Sequence, residues 1–193
     1  MPVSSSTLLS RLPRRPDGGR PPTDDPTDRR TGAAGLAAAL AAVSDRWLPL
    51  VDYRSTSRWT HLLPTGDAAS LLDPDLHDDL AGAQVWLLSW LPSQGTPLHD
   101  HAASAGAFAV VRGTLTERVV AAGSGGIRES ANGLTGGRVR HFGPHYVHQV
   151  TNLGADPAVS VHVYTPGLRA MNTYRIEAGA LVRTGTERAG VDW

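Results

Sequence analysis

One stretch of the sequence decides how the chain folds: residues 90–101 read WLPSQGTPLHDH. The apolar run at residues 85–91 has the composition of a β-strand, and residues 92–95, with Pro and Gly, predict a turn after it. His99 and His101 close the stretch as an H-x-H pair. If this segment is extended, both imidazoles lie on one face, because side chains at i and i+2 share a face of a strand. The stretch therefore predicts two metal ligands on the inner side of a β-structure.

Downstream of this pair the chain repeats a rhythm of short strands and turns. Apolar segments recur roughly every 8–12 residues and are separated by Gly- and Pro-containing turns, as at residues 123–126. This pattern is typical of an all-β sandwich or barrel. The predicted strands are residues 107–111, 114–120, 139–142, 148–152, 159–165 and 174–176.

The segment before the first strand has helical character. Apolar side chains recur at helical spacing within residues 33–48, at Leu36, Leu40, Val43 and Trp47. Pro49 is predicted to end this helix. Residues 67–82 predict two short helical turns rather than one helix, because Pro74 interrupts them, and Asp67 is a candidate N-cap.

Composition divides the chain into four segments. Residues 1–32 are dense in Pro, Gly and charge without apolar periodicity, so they bury too little surface to offset their ordering entropy and predict a disordered leader. Residues 33–83 predict a helical region packed on a barrel, which itself spans residues 84–182. Residues 183–193 are predicted to form a C-terminal tail.

Charge and composition exclude several classes of protein. The 18 basic residues, all of them Arg, balance 18 acidic ones, so no basic stripe predicts a nucleic-acid partner. The absence of Cys excludes disulfides, thiolate metal sites and Cys nucleophiles. No apolar run approaches the roughly 18 residues needed to span a membrane, and no signal peptide is recognisable. We therefore expect a soluble cytoplasmic protein without a membrane partner, as a monomer or small homo-oligomer.

His148, on a later predicted strand, can complete a three-nitrogen face with the H-x-H pair.

Residues 84–166 also resemble the cupin barrel, an all-β fold with two sequence motifs. The matching residues are His99, His101, Gly113, Gly137, His148 and Asn152. The position of the usual cupin Glu holds Gly106, and the central Pro and Gly of the second motif are replaced by Gly143 and His145.

A narrower resemblance is more specific. Residues 90–101, 106–117 and 160–166 resemble, in order, three segments of the cysteine dioxygenase family of thiol dioxygenases, and residues 171–174 are similar as well. The family implies a cupin barrel with one iron ion held by three His, which fall here on His99, His101 and His148. Its S-x-H-x-Y segment falls on Ser160, His162 and Tyr164, which the resemblance makes a catalytic relay.

The resemblance also has a point of departure. In animal-type members of the family a Cys is cross-linked to the Tyr of the S-x-H-x-Y segment. Here the matching position is Gly106 and the chain has no Cys, so the cross-link is impossible and the chain resembles the bacterial branch.

The residue types fit the implied chemistry. Three neutral imidazoles leave a divalent ion its full charge and up to three open positions, which suits a thiolate and O2. Gly106 in place of a fourth ligand keeps such a site open. Three His would equally hold Zn, Ni, Mn or Cu. On an extended strand Ser160, His162 and Tyr164 share one face, so the Ser–His–Tyr chain can control the phenol proton. A Ser–His hydrolase is excluded, because the nucleophile elbow G-x-S-x-G is missing.

Substrate recognition is predicted from residues 58–63, RWTHLL. The family holds its substrate carboxylate with an Arg in a similar stretch, and without gaps that Arg falls on His61, which makes His61 and Arg58 the candidate substrate-binding residues. Further candidate carboxylate partners are Arg54, Arg169 and Arg175. The expected substrate is a small thiol carboxylate, with L-cysteine first and 3-mercaptopropionate close behind because of His61.

Other functions stay open on the sequence alone. A non-catalytic metal-binding cupin needs no proton relay, so the Ser160–Tyr164 set argues against it. A cupin isomerase or a dioxygenase of carbon substrates generally keeps the Glu ligand, which Gly106 replaces. The alternating position of Asp100 turns its side chain away from the two neighbouring imidazoles, so a structural role is predicted for it.

Overall fold

The computed structural model describes residues 31–123 and 126–190. The predicted leader, except its last two residues, lies outside the described residues, as do residues 191–193 of the predicted tail. Helix α1 begins at Gly32, one residue before the predicted start of the helical region at residue 33.

The helical region consists of short elements. They are α1 (Gly32–Ala42), 3-10 turns at Ser44–Arg46 and Leu48–Leu50, α2 (Thr65–Leu71), a 3-10 turn at Pro74–Leu76, and α3 (His77–Leu80). Among the described residues no helix combines the length and apolar character needed to cross a membrane.

Two details of the helical prediction are corrected. The first helix ends at Ala42 rather than at Pro49, because the chain tightens into 3-10 turns and the buried indole of Trp47 donates a hydrogen bond back to the Leu40 carbonyl (2.8 Å). Residues 67–82 do form separate short helices, but Asp67 lies in the first turn of α2 instead of capping it.

Eleven strands are present in the described residues. They are β1 (Trp59–Leu63), β2 (Gln84–Trp90), β3 (Leu98–Asp100), β4 (Ala105–Arg112), β5 (Thr114–Gly123), β6 (Gly126–Thr135), β7 (Val139–Phe142), β8 (Val147–Thr151), β9 (Ala158–Thr165), β10 (Ala170–Glu177) and β11 (Ala180–Arg188). Sheet I has the order β1-β2-β9-β4-β7, and sheet II has the order β11-β10-β3-β8-β5-β6. All pairings are antiparallel, and the predicted all-β cupin fold is confirmed.

Sheet I is apolar on both faces. Its outer face packs against the helical region through Val85, Leu87, Val161, Val163, Leu36, Leu40 and Trp47. Its inner face turns toward sheet II through Leu88, Trp90, Phe108 and Val110. Burial of each large apolar side chain stabilises the fold by about 1.5–3 kcal/mol. The helices therefore cover a sheet that would otherwise expose its outer face to water.

Three strands extend the sequence prediction. β1 and β6 lie in segments where no strand was predicted, and β11 runs to Arg188, beyond the predicted end of the barrel at residue 182. β11 is an edge strand with little apolar content, and it forms by pairing along its length with β10. Backbone pairing with a partner, rather than its own pattern, makes this segment a strand.

Candidate functional site

Three histidines converge inside the barrel, as predicted. His99 lies on β3 directly opposite His148 on β8, and His101 follows β3. One ring nitrogen of each lies within 4.8 Å of the others, and all three side chains are buried. This spacing brings three imidazoles to one point between the sheets, where they can hold a metal ion.

The hydrogen bonds of two rings show which nitrogen is free. Nδ1 of His99 donates to the Pro97 carbonyl (2.9 Å), and Nδ1 of His148 donates to a Glu117 carboxylate oxygen (2.9 Å). Their Nε2 atoms are then left with lone pairs. Nε2 of His148 and Nδ1 of His101 are buried with no hydrogen-bond partner among the described residues. Orphaned buried nitrogens of this kind fit a metal ion that supplies the missing partner.

Burial keeps two of the three imidazoles, those of His99 and His101, neutral. It lowers the pKa of His99 to about 3, with neighbouring His148 lowering it further, and burial likewise lowers the pKa of His101 well below its usual value. Neutral imidazole is the form that ligates a metal. The donor set therefore fits a divalent ion at ordinary pH.

A buried carboxylate supports the third ligand, and sequence reasoning missed it. Glu117 on β5 is fully buried between Nδ1 of His148 and the guanidinium of Arg140, whose Nε lies 2.5 Å from it. Arg140 compensates the charge of Glu117, so the carboxylate can accept the imidazole proton without removing it. One signal was available in the sequence: Glu117 lies two residues after Leu115, so both side chains lie on the same face of the strand. Because Leu115 is buried, this spacing places a charge on the inner face.

The Ser–His–Tyr set forms a connected chain on β9, here called the relay. Ser160 Oγ lies 2.9 Å from Nε2 of His162, and the Tyr164 hydroxyl lies 3.5 Å from Nδ1. All three side chains are buried. Burial lowers the pKa of His162 and raises the pKa of Tyr164, so the ring is neutral and the phenol protonated. The Tyr164 ring lies 5.1 Å from the His101 ring, which places the end of the relay beside the three histidines.

The side chains of the two candidate substrate-binding residues, at the start of β1, face opposite sides of the chain. Arg58 precedes the strand and turns inward, with its guanidinium 5.1 Å from the ring centroid of Trp90. His61 turns to the other face, stacked on Trp59 at 5.5 Å and paired with the outward-facing Leu87. The structure therefore corrects the prediction for His61, which does not line the cavity. Alternation decides the outcome, because Arg58 and His61 are three positions apart and so face opposite sides.

The other candidate arginines lie elsewhere. Arg54 and Arg175 are exposed and face Asp52 (4.0 Å) and Glu177 (2.7 Å). Arg169 is exposed at a separate surface depression. Arg58, by contrast, has no carboxylate within salt-bridge distance among residues 31–123 and 126–190.

These groups line one small cavity. Its lining residues are Arg58, Leu88, Trp90, Thr96, His99, His101, His148, Val150, His162, Tyr164 and Met171. The lining carries one permanent cation, one phenol and an apolar wall, and none of these residues is acidic. The cavity therefore suits a small anion held next to the three imidazoles.

Asp100 has the structural role predicted for it. Its carboxylate accepts hydrogen bonds from the Ala102 amide (2.9 Å), the Asn172 side chain (2.8 Å) and the Tyr174 hydroxyl (2.7 Å). These bonds tie the end of β3 to β10. The two flanking ligands, His99 and His101, are thereby held on the opposite side of the chain.

Comparison with solved structures finds relatives at low identity. Oxalate oxidase in complex with the substrate analogue glycolate is 14% identical, over 58% of this chain and 52% of its own, with a TM-score of 0.46. The protein TT1209 from Thermus thermophilus is 21% identical, over 62% of this chain and 93% of its own, with a TM-score of 0.43. Oxalate decarboxylase from Bacillus subtilis is 16% identical, over 66% and 30%, with a TM-score of 0.48. The chain thus spans about half of the oxalate oxidase that it matches.

Comparison of the sequence itself is more specific. No curated protein matches the chain. A family model described as cysteine dioxygenase type I matches residues 75–176, slightly more than half of the chain. The matched range contains the three histidines and the whole relay, whereas Arg58 lies before it. The resemblance found in the sequence is confirmed: this chain belongs to the cysteine dioxygenase type I family.

Proposed function

We propose that this protein is an iron-dependent thiol dioxygenase. It adds both atoms of O2 to the sulfur of a small thiol carboxylate, so that R–SH and O2 give the sulfinic acid R–SO2H, and L-cysteine is the first candidate. The observation that carries the proposal is the convergence of three buried imidazoles, Arg58 and Tyr164 on one small cavity. Family membership supports it.

Three residues would hold the iron: His99, His101 and His148. Fe(II) supplies a Lewis-acidic, redox-active centre that favours the thiolate form of the substrate and accepts O2. Because the ligands are neutral, none of them offsets the charge that attracts a thiolate. Glu117 and Arg140 orient His148, and the Pro97 carbonyl orients His99.

Arg58 would bind the substrate carboxylate. Its guanidinium lies in the cavity wall without a carboxylate partner among the described residues, although burial lowers its pKa. Even so lowered, an Arg stays protonated and can hold a carboxylate through two parallel hydrogen bonds. A substrate anchored there points its thiol toward the three imidazoles, which fixes the reacting geometry.

Tyr164 would hold a proton at the cavity. Burial raises the pKa of the phenol and keeps it protonated, and its hydroxyl stands beside His101 at the end of the relay. From that position Tyr164 can donate a hydrogen bond to the bound substrate or to an oxygen atom near the substrate sulfur. The apolar wall of Leu88, Val150 and Met171 limits water around these groups.

The lining of the cavity also ranks the thiols. Cysteamine carries an ammonium group and lacks a carboxylate, so it would place a cation near Arg58 and is the least suited. L-cysteine fits through its carboxylate. A second candidate, 3-mercaptopropionate, is favoured by one observation: no acidic residue lines the cavity to receive an ammonium group.

The test is oxygen consumption after anaerobic loading with Fe(II). L-cysteine, 3-mercaptopropionate, cysteamine and mercaptosuccinate are compared, and the product is identified by mass. We expect one O2 consumed per sulfinate formed with a thiol carboxylate. Iron bound stoichiometrically, with no thiol-dependent uptake for any of the four, would contradict the proposal and favour a non-catalytic metal-binding cupin. A cytoplasmic location and a monomer or small homo-oligomer stay predictions.

A further inference from the structure

Trp90 makes two polar contacts that its apolar surroundings do not require. Its side chain is fully buried at the end of β2. The indole Nε1–H donates a hydrogen bond to Ser160 Oγ (2.9 Å), and the face of the ring carries the guanidinium of Arg58 at 5.1 Å. One side chain thus touches both the proposed carboxylate anchor and the far end of the relay.

The donors and acceptors along the relay define a direction. An indole nitrogen only donates, so Ser160 accepts from Trp90 and must place its own hydrogen elsewhere. Among the described residues the only other hydrogen-bond partner of Ser160 Oγ is Nε2 of His162 (2.9 Å). Because Ser160 is fully buried, its hydrogen goes to that nitrogen, which must be unprotonated.

The unprotonated Nε2 of His162 also decides how Tyr164 is hydrogen-bonded. A neutral imidazole with a bare Nε2 has its hydrogen on Nδ1. That nitrogen faces the Tyr164 hydroxyl at 3.5 Å and donates to its oxygen. The hydroxyl hydrogen of Tyr164 is then free to point away from His162, into the cavity that Tyr164 lines.

We propose that Trp90 is a positioning residue: its N–H sets the direction of hydrogen bonding along the relay, so that Tyr164 presents a donor to the cavity. Without this N–H, Ser160 Oγ is free to accept from Nε2–H of His162 instead. The chain then reverses, and Tyr164 donates back to His162 rather than into the cavity.

The kinetic part of this inference rests on the proposed thiol oxidation, whereas the direction of the relay does not. The two contacts of Trp90 are also separable. Trp90→Phe removes the N–H but keeps an aromatic face beneath Arg58. It therefore tests the relay while leaving the carboxylate anchor supported.

The first test reads the tautomer of His162 directly. In Zn(II)-loaded, 15N-histidine-labelled protein, the ring nitrogen shifts of His162, assigned by comparison with His162→Gln, distinguish Nδ1–H from Nε2–H. We expect Nδ1–H in the wild type and a mixture of both forms in Trp90→Phe. Trp47→Phe is the matched control, because it removes another buried indole hydrogen bond, to the Leu40 carbonyl, outside the site.

The second test is kinetic and uses the Fe(II) enzyme with its best thiol. We expect kcat to fall about fivefold in Trp90→Phe, the rate equivalent of one hydrogen bond, with KM changed less than about twofold. Trp47→Phe should leave both constants unchanged. Equal kcat for Trp90→Phe and wild type would overturn the positioning role.

The tautomer measurement tests the direction of the relay independently of enzyme activity. Nε2–H in the wild type, or an unchanged Nδ1–H form in Trp90→Phe, would overturn the assigned direction. If Trp90→Phe fails to fold, Ser160→Ala removes the hydroxyl that donates to Nε2 of His162 and should produce the same mixture, and a pure Nδ1–H form there would overturn the proposal. If no variant oxidises any thiol, the proposed function fails while the tautomer result still decides the direction of the relay.

Discussion

The ring of Phe142 lies so close to Gly106 that a Cβ atom on Gly106 would come within 2.8 Å of it, and the same atom would come within 2.3 Å of the Val163 carbonyl oxygen. The two residues are paired across β4 and β7, and Tyr164 faces Gly106 from the other side, on β9. Phe142 in turn stacks on His101 at 4.3 Å. The Phe142 ring and the Val163 carbonyl thus fill the space that a side chain at position 106 would need. Packing as well as residue type therefore keeps a fourth side chain away from the three histidines.

Gly106→Ala is expected to destabilise the protein. The added methyl group overlaps the Val163 carbonyl oxygen and the Phe142 ring, and such overpacking typically costs about 1–3 kcal/mol of unfolding free energy. In a Phe142→Ala background the same substitution should cost less, because the ring is gone, but the clash with the Val163 carbonyl should keep it destabilising. Denaturant unfolding of the double-mutant cycle measures the coupling. Gly133→Ala is the control, since its Cβ would meet open space. Equal costs of Gly106→Ala in both backgrounds would contradict the contribution of the Phe142 ring.

Glu117→Gln is expected to weaken metal binding. It removes the negative charge that orients His148 and leaves Arg140 without its partner, and losses of this kind are roughly 10- to 100-fold in metal affinity. Competition with a chromophoric chelator measures the affinity. Glu129→Gln is the matched control, because Glu129 pairs with Arg118 at the surface (2.6 Å). Identical affinities for the two variants would show that the carboxylate does not support the ligand.

Arg58→Gln and His61→Ala distinguish the two residues that the sequence offered for substrate binding. Arg58 lines the cavity, and loss of a charged hydrogen bond there should raise KM for a thiol carboxylate about tenfold or more. His61 stacks on Trp59 outside the cavity, so its removal should leave KM unchanged. Steady-state oxygen uptake gives both constants, with the exposed Arg175→Gln as a charge-matched control. A raised KM in His61→Ala alone would reverse the assignment.

The metal-free protein is expected to lose stability as the pH falls from 7.5 to 5.5. The pKa of His99 is lowered to about 3 and those of His101 and His162 well below 6.5, first of all by burial. The unfolded chain therefore binds protons in this window that the folded chain does not, so the free energy of unfolding decreases with falling pH. Hydrogen bonds lower the pKa of the Asp100 and Glu117 carboxyl groups against the effect of burial, so these two groups stay ionised through this window.

Denaturant midpoints at several pH values measure this effect. The slope should approach about 1.4 kcal/mol per pH unit for each buried histidine once the pH is below the unfolded pKa. A free energy of unfolding independent of pH between 7.5 and 5.5 would contradict the neutral, buried state of these rings.

Much of the site follows from local sequence. The H-x-H spacing placed His99 and His101 on one side of the chain with Asp100 on the other, and alternation on β9 placed Ser160, His162 and Tyr164 together. Both depend only on the two-residue period of a strand. The all-β fold follows from the spacing of short apolar segments in the same way.

Other parts of the site depend on contacts between residues far apart in the chain. Trp90 meets Ser160 across 70 positions, and Glu117 meets His148 across 31. The two-residue period of a strand cannot predict contacts between residues so far apart in the sequence, because these contacts depend on sheet order and strand register. β11 is a related case, because its pairing with β10 forms a strand that its own composition does not predict.

The sequence by itself predicted the all-β fold class from the spacing of its strands, and its resemblance to a known family pointed to the three histidines and to the members of the relay. Only the tertiary structure decided that Arg58 rather than His61 enters the cavity and that Phe142 occupies the space over Gly106. The physical reason is that alternation assigns side chains to two faces without stating which face is turned inward or what packs against it. Those two facts are properties of the assembled sheets.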